Sequence, residues 1–185
     1  MLAEGGERSR SHGLSRDILE AQARSIGTRL VTKETTWEDY EENFLCEARR
    51  LRDDGVSVGV FGDIDLLEHR EWVERICSKA GIEPRLPLWN TKREVLLEEF
   101  ISSGFKAIIV SVKDGVLGSR WLGRALDSNM VELFISSGID PSGENGEYHT
   151  CVIDGPVFSH PIDVVKGEAT LRDGYWFLDL HIAGK

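Results

Sequence analysis

Two apolar runs, VSVGVFG at 56–62 and FKAIIVSV at 105–112, constrain this chain more than anything else in it. Both are rich in β-branched residues and nearly free of charge, the pattern of a strand buried on both faces. Helical spacing surrounds them. Leu14, Ile18, Ala21 and Ser25 predict a helix through Ile26, with Gly27 as its stop. TRLVT at 28–32 then reads as a short strand. Thr36 caps a second helix with Trp37, Tyr40, Phe44, Leu45, Ala48 and Leu51 on one face, ended by Gly55. Asp65 and Glu68 form a D-x-x-E cap for a helix through Val73, Ile76, Cys77 and Ala80, stopped by Gly81. PRLPLW at 84–89 is extended, because two prolines exclude helix. Thr91 and Glu94 cap a further helix with Val95, Leu96 and Phe100 inward and Gly104 as its stop. Alternating helices and strands predict a parallel sheet covered by helices.

After Val112 the pattern changes. Asn129–Ser137 predicts a short helix ended by Gly138, HTCVIDGPVF is extended, and the tail reads as two strands around an Asp173-Gly174 turn. The fold class expected is α/β, with a division into residues 1–89 and 90–185. The 185 residues allow one compact domain or two small ones, and a homodimer is allowed. A net charge of −10 argues against a broad nucleic-acid footprint. The apolar runs are too short to span a bilayer, so no membrane role is expected. The first residues lack the apolar core of a secretory signal. Cys46, Cys77 and Cys151 match no metal spacing and sit in apolar patterns, which predicts reduced, buried thiols and a cytoplasmic setting.

Three places carry candidate chemistry. Gly62 and Asp63 end the first buried run, where open α/β sheets bind ligands; a plain strand-to-helix turn, with Asp65 as cap, is the competing reading. The segment GENGEYHT, 143–150, holds two glycines that permit positive φ and leads into a strand. Strand alternation puts Glu147, His149 and Cys151 on one face and Tyr148, Thr150 and Val152 on the other. A carboxylate beside a histidine suits proton transfer, metal binding or the holding of a cation, and a solvated turn is the alternative. His12 precedes the first helix and reads by position as a cap or surface residue. Arg124 and Asp127 are spaced for a surface ion pair.

PLWNTKREVLLEEFISSGFKAIIVSV, WLGRALD and GIDPSGENGEYHTCVIDGPVF together resemble the diphthine–ammonia ligase family, of the adenine-nucleotide α-hydrolase (ATP pyrophosphatase, HUP) superfamily. Gly143–Thr150 matches that family's G-E-[GN]-G-E-[YF]-x-T signature, and VFGDIDLLEHREWVERIC resembles its bacterial branch. Ser142 stands where cysteine is common. The resemblance implies a HUP-like parallel sheet with flanking helices plus a smaller α+β C-terminal domain. It implies a ligase that activates a carboxylate with ATP and Mg2+ and amidates it with ammonia, acting on a small carboxylate or a modified residue. On this resemblance Glu144, Glu147 and His149 are catalytic candidates. Gly62, Asp63 and His12 lie on the cofactor side. Asn145, Gly146, Tyr148 and Arg124 lie on the substrate side, and no metal ligand is assigned.

The family's S-G-G-K-D-S loop, whose N–H groups and lysine hold the ATP phosphates, has no counterpart in this sequence. The N-terminal strands of the HUP sheet are expected to be missing, leaving strand edges unpaired. An N-terminally clipped form of a longer protein is the preferred expectation, and a non-catalytic binding module that has lost ATP chemistry is the alternative. Calorimetry on residues 1–185 is therefore expected to detect no tight Mg-ATP binding. Sub-micromolar affinity would mean that the nucleotide site has been misplaced.

Overall fold

The computed structural model describes residues 1–184. Its contacts divide the chain into two compact units, Met1–Gly6 with Thr32–Leu96, and Glu7–Val31 with Leu97–Lys185. By these contacts residues 90–96 group with the first unit and the first helix with the second. None of the described helices is long and apolar enough to cross a membrane.

The first unit holds helix α2 (Tyr40–Asp53), strand β1 (Val58–Val60), helix α3 (Leu67–Ala80) and strand β2 (Glu83–Arg85), after helix α1 (Arg16–Ser25) in chain order. Strands β1 and β2 pair in parallel, Val58 with Glu83 and Val60 with Arg85, giving the expected α/β grammar. Val73, Ile76 and Cys77 of α3 form the core, packed by Phe44, Leu45, Phe61, Trp72, Ile82 and Leu86. Before α2, the Asp39 N–H donates to Thr36 Oγ1 and Asp39 Oδ1 accepts from the Thr36 N–H. This reciprocal bonding orders the turn where Thr36 was expected to act. Arg49 and Arg52 of α2 donate to the Lys79 and Ala80 carbonyls, covering acceptors at the end of α3 that have no partner within the helix.

In the second unit α1 joins the remaining elements: helix α4 (Arg93–Ser102, which begins in the first unit), strand β3 (Lys106–Lys113), helix α5 (Ser128–Ser136), and strands β4 (Tyr148–Asp154), β5 (Val164–Arg172) and β6 (Tyr175–Ile182). The sheet order is β4-β3-β6-β5 and every pairing is antiparallel. One hydrophobic cluster gathers Ala107, Ile109 and Val112 of β3 with Trp121, Met130, Phe134 and Tyr148. Another gathers Ile108 and Val110 with Leu14, Ile18, Cys151, Leu178 and Leu180. Asp127 caps α5, accepting from the Met130 N–H.

Several expectations hold and several need correction. Gly27, Gly55, Gly81, Gly104 and Gly138 all take positive φ at helix ends, and Asp173-Gly174 makes the hairpin turn. FKAIIVSV is buried on both faces as expected, but in an antiparallel sheet: burial pattern reports coverage, not the direction of the neighbours. VSVGVFG is not buried. Only three of its residues are in strand, and Val58 and Val60 are 39% and 70% exposed, because the unit's core is built from α3 and its partners. TRLVT pairs with no strand; the nearby pairing is a single bridge, Leu2 with Glu34. Asp65 caps nothing and instead pairs through both carboxylate oxygens with Arg93. Trp37 and Val95, expected inward, are exposed, and so is Cys46.

Hydrogen exchange should separate the two units. A three-residue exposed strand opens more readily than one paired on both sides and buried. Amides of Val58–Val60 are expected to exchange faster than those of Ala107–Val112. Equal, slow exchange in both would contradict the difference in packing.

Candidate functional site

The loop before β4 is built around Asp140. Its Oδ1 accepts from the Ser142 N–H and its Oδ2 from the Glu144 N–H, while the Gly146 N–H donates to the Gly143 carbonyl. Gly143 has φ +69°, and a Cβ there would sit 2.7 Å from the Tyr148 carbonyl oxygen and 3.2 Å from its ring. Only glycine fits this position. Tyr148, expected on the substrate side, anchors the loop. Its ring is buried against Phe134, and its hydroxyl donates to the Pro141 carbonyl. Burial, and then the charges of Asp140, Glu147 and Glu144, hold that phenol far above its ordinary pKa.

The two glutamates differ in setting. Glu144 lies on the turn. Glu147 adjoins β4, and its carbonyl accepts from the Lys113 N–H of β3 at 2.9 Å. Its Oε1 accepts from the exposed Asn145 amide at 3.4 Å. Its Oε2 is buried with no hydrogen-bond partner. Leaving a buried acceptor unsatisfied costs about 1–3 kcal/mol, more for a charged group, so such an atom points to a missing partner.

Beyond Glu147 the alternation along β4 is as expected. Tyr148 and Val152 pack in the Phe134 cluster, and Cys151 packs in the cluster of Ile108 and Leu14. His149 therefore faces the Cys151 side, and there it meets His12. The two ring centroids are 4.9 Å apart with planes at 53°. The loop carrying His12 is pinned at several points. The Ser9 N–H donates to the Leu14 carbonyl, Ser9 Oγ accepts from the Leu14 N–H, and Arg8 pairs with Asp179 at 2.8 Å. Gly13 (φ +67°) rests against Phe177 of β6, where a Cβ would approach the ring to 2.7 Å. His12 remains solvent-accessible, yet enough protein surrounds its ring to push its pKa down to about 4, with His149 adding repulsion. Burial lowers the His149 pKa as well. Both imidazoles are neutral at neutral pH.

One member of this group was not anticipated. Ser111 of β3 lies directly opposite His149 on one side and Phe177 on the other. Directly paired residues project to the same face, so Ser111 and His149 share theirs. Ser111 is completely buried and its Oγ has no hydrogen-bond partner. A register shift between Ile109 and Ser111 sets it there. The signal available in the sequence was a lone hydroxyl inside an apolar strand.

The remaining candidates lie elsewhere. Arg124 stacks 4.7 Å over Trp121 and lines a cavity of about 380 Å3 with Asp127, Asn129 and Met130, to which neither glutamate nor His149 contributes. Gly62 and Asp63 belong to the first unit, whereas His12 belongs to the second. Open space surrounds Gly62, and the Asp63 carboxylate faces His69 Nδ1 at 3.2 Å.

Residues 1–84 match the model of the diphthamide synthase N-terminal domain, and residues 92–183 match that of the diphthamide synthase C-terminal domain. Among curated proteins, the chain is similar to a diphthine–ammonia ligase of Homo sapiens, 29% identical over 180 residues, covering 89% of this chain and 66% of the relative. It is also similar to those of Bos taurus, 33% identical over 161 residues (80% and 59%), and Mus musculus, 36% identical over 140 residues (73% and 51%). The chain thus spans roughly half to two thirds of the length of these curated relatives.

The depressed His12 pKa makes stability pH-dependent. The unfolded chain takes up a proton at His12 near pH 6.5, whereas the folded chain resists until about pH 4. His12 therefore contributes stability that is intact above pH 6.5 and is lost as pH falls toward 4. Urea denaturation at pH 7 and pH 5 should show this loss, and His12→Gln should flatten it. Identical slopes for both proteins would remove His12 as the source.

Proposed function

We propose, because the chain belongs to the diphthamide synthase family, that it carries the acceptor side of an ATP-dependent ligase joining ammonia to a carboxylate. The curated relatives are named diphthine–ammonia ligases, and a diphthine-type carboxylate on a modified residue is the acceptor carried over from that name. A small free carboxylate is the alternative acceptor. The observation that carries this reading is the buried, unpartnered Oε2 of Glu147. Oε1 is held by Asn145, leaving Oε2 to receive an N–H or a cationic group from a bound reactant. A carboxylate fixed at the start of a strand can accept the proton released when an amine nitrogen becomes an amide. Glu144, on the turn, is its less critical neighbour. At Gly146 (φ +79°) a Cβ would stand 3.2 Å from the Tyr175 hydroxyl, so that side of the turn is packed by the protein itself.

ATP and Mg2+ would activate the carboxylate, but the residues described in the first unit do not by themselves make a phosphate cradle. Gly62 opens onto space, Asp63 already faces His69, and among the described residues no three His, Cys, Asp or Glu side chains cluster to hold a metal ion. The second reading is a binding module that keeps the acceptor-side residues without ATP chemistry.

Amide formation from ATP, ammonium and a diphthine-bearing acceptor, measured with the chain extended by an S-G-G-K-D-S segment, tests the first reading. Glu147→Gln should fold normally and lower turnover about a hundredfold, and Glu144→Gln should cost less. Unchanged turnover and KM in Glu147→Gln would leave the segment a structural turn.

A further inference from the structure

The geometry points to an ammonium-binding subsite formed by His12, His149 and Ser111, in which the ring nitrogens and the Ser111 hydroxyl accept N–H bonds from the cation. This rests on the ligase reading only in naming the ammonium as the reacting one.

Three observations meet at this place. His12 and His149 lie ring to ring at 4.9 Å, held by independent elements, the pinned loop before α1 and strand β4. Ser111 is opposite His149, wholly buried, with a hydroxyl that bonds to nothing in the protein. Glu147 comes two residues before His149, on the side that strand alternation shares with it, and its buried Oε2 is also unpartnered. Each neutral imidazole offers one lone pair, and a serine oxygen offers two. The complement of such a set of acceptors on the carboxylate's side of the strand is a small cation carrying several N–H donors. The low basicity of both rings suits this role. They stay neutral at the pH where ammonium is charged, so they accept from it without competing with it for charge. A quaternary ammonium has no N–H donor and satisfies neither the imidazoles nor the Ser111 hydroxyl. The His12 loop is built to hold position, since the close seat of Gly13 on Phe177 leaves no room for a side chain at residue 13. Phe177 is the other cross-strand neighbour of Ser111, so one aromatic ring supports both the loop and the wall of the subsite.

Imidazole NMR resonances of the full chain at pH 7, titrated at constant ionic strength, test this directly. The probes are ammonium chloride, tetramethylammonium chloride, sodium chloride and sodium acetate. His12→Gln and His149→Gln assign the signals. The His12 and His149 resonances should move saturably with ammonium alone, while those of His69, His160 and His181 stay still. Ser111→Ala should weaken ammonium binding roughly tenfold, the worth of one hydrogen bond to a charged group. It should also leave the protein equally or more stable, because it removes a buried unsatisfied hydroxyl. A response to tetramethylammonium, sodium or acetate in place of ammonium overturns the subsite. So does the absence of any saturable response, or an unchanged affinity in Ser111→Ala. The measurement needs neither ATP nor acceptor. Ammonium binding without amide formation would therefore sink the ligase reading alone, and amide formation with silent ring signals would sink the subsite alone.

Discussion

The pairing of β3 with β4 on one edge and β6 on the other is the constraint on which the rest of the second unit depends. Its apolar side chains enter two separate hydrophobic clusters, so its register fixes both at once. A slip of one residue would exchange the faces and bring Lys106 or Lys113 toward a core. The same register sets Ser111 between His149 and Phe177 and ties Glu147 to the Lys113 N–H. The site is therefore positioned by the element that contributes most to the core, which suits groups that must be held to small tolerances.

The glycine-broken loop separates two roles that its sequence mixes together. Gly143 and Tyr148 are there for shape: one because a side chain would strike the Tyr148 carbonyl, the other because its ring and hydroxyl fasten the loop to Phe134 and Pro141. Glu147 and His149 are not needed for that shape. The polar groups left unsatisfied around them, Glu147 Oε2 and Ser111 Oγ, make the fold less stable than apolar replacements would. Groups of that kind persist where chemistry requires them.

The first unit is organised differently. Its helices α2 and α3 supply most of the core, and its two short strands leave valine side chains in solvent. A two-stranded parallel pair has little stability of its own, so the unit's order rests on the packing of α2 against α3. Arg93 reaches Asp65 from the start of α4, and this explains why a residue spaced as a helix cap does something else.

Local physics was legible in the sequence. Helix stops at Gly27, Gly55, Gly81, Gly104 and Gly138, the Asp173-Gly174 turn, and the alternation that puts His149 opposite to Tyr148 all follow from backbone angles and side-chain period. The GENGEYHT segment and the family resemblance were legible for the same reason, being contiguous. Contacts between distant segments were not. Nothing near residue 12 says that its imidazole meets one 137 positions later, and nothing in FKAIIVSV says that its neighbours run antiparallel or that Ser111 is paired with a histidine. Nor does a D-x-x-E spacing reveal an arginine 28 residues on that competes for the aspartate. The sequence by itself determined where the elements start, stop and turn their faces, because those are properties of a few adjacent residues. Strand direction, the exposure of VSVGVFG and the meeting of His12, His149 and Ser111 were decided only by the tertiary structure, because each depends on which distant surface does or does not exclude water from the other.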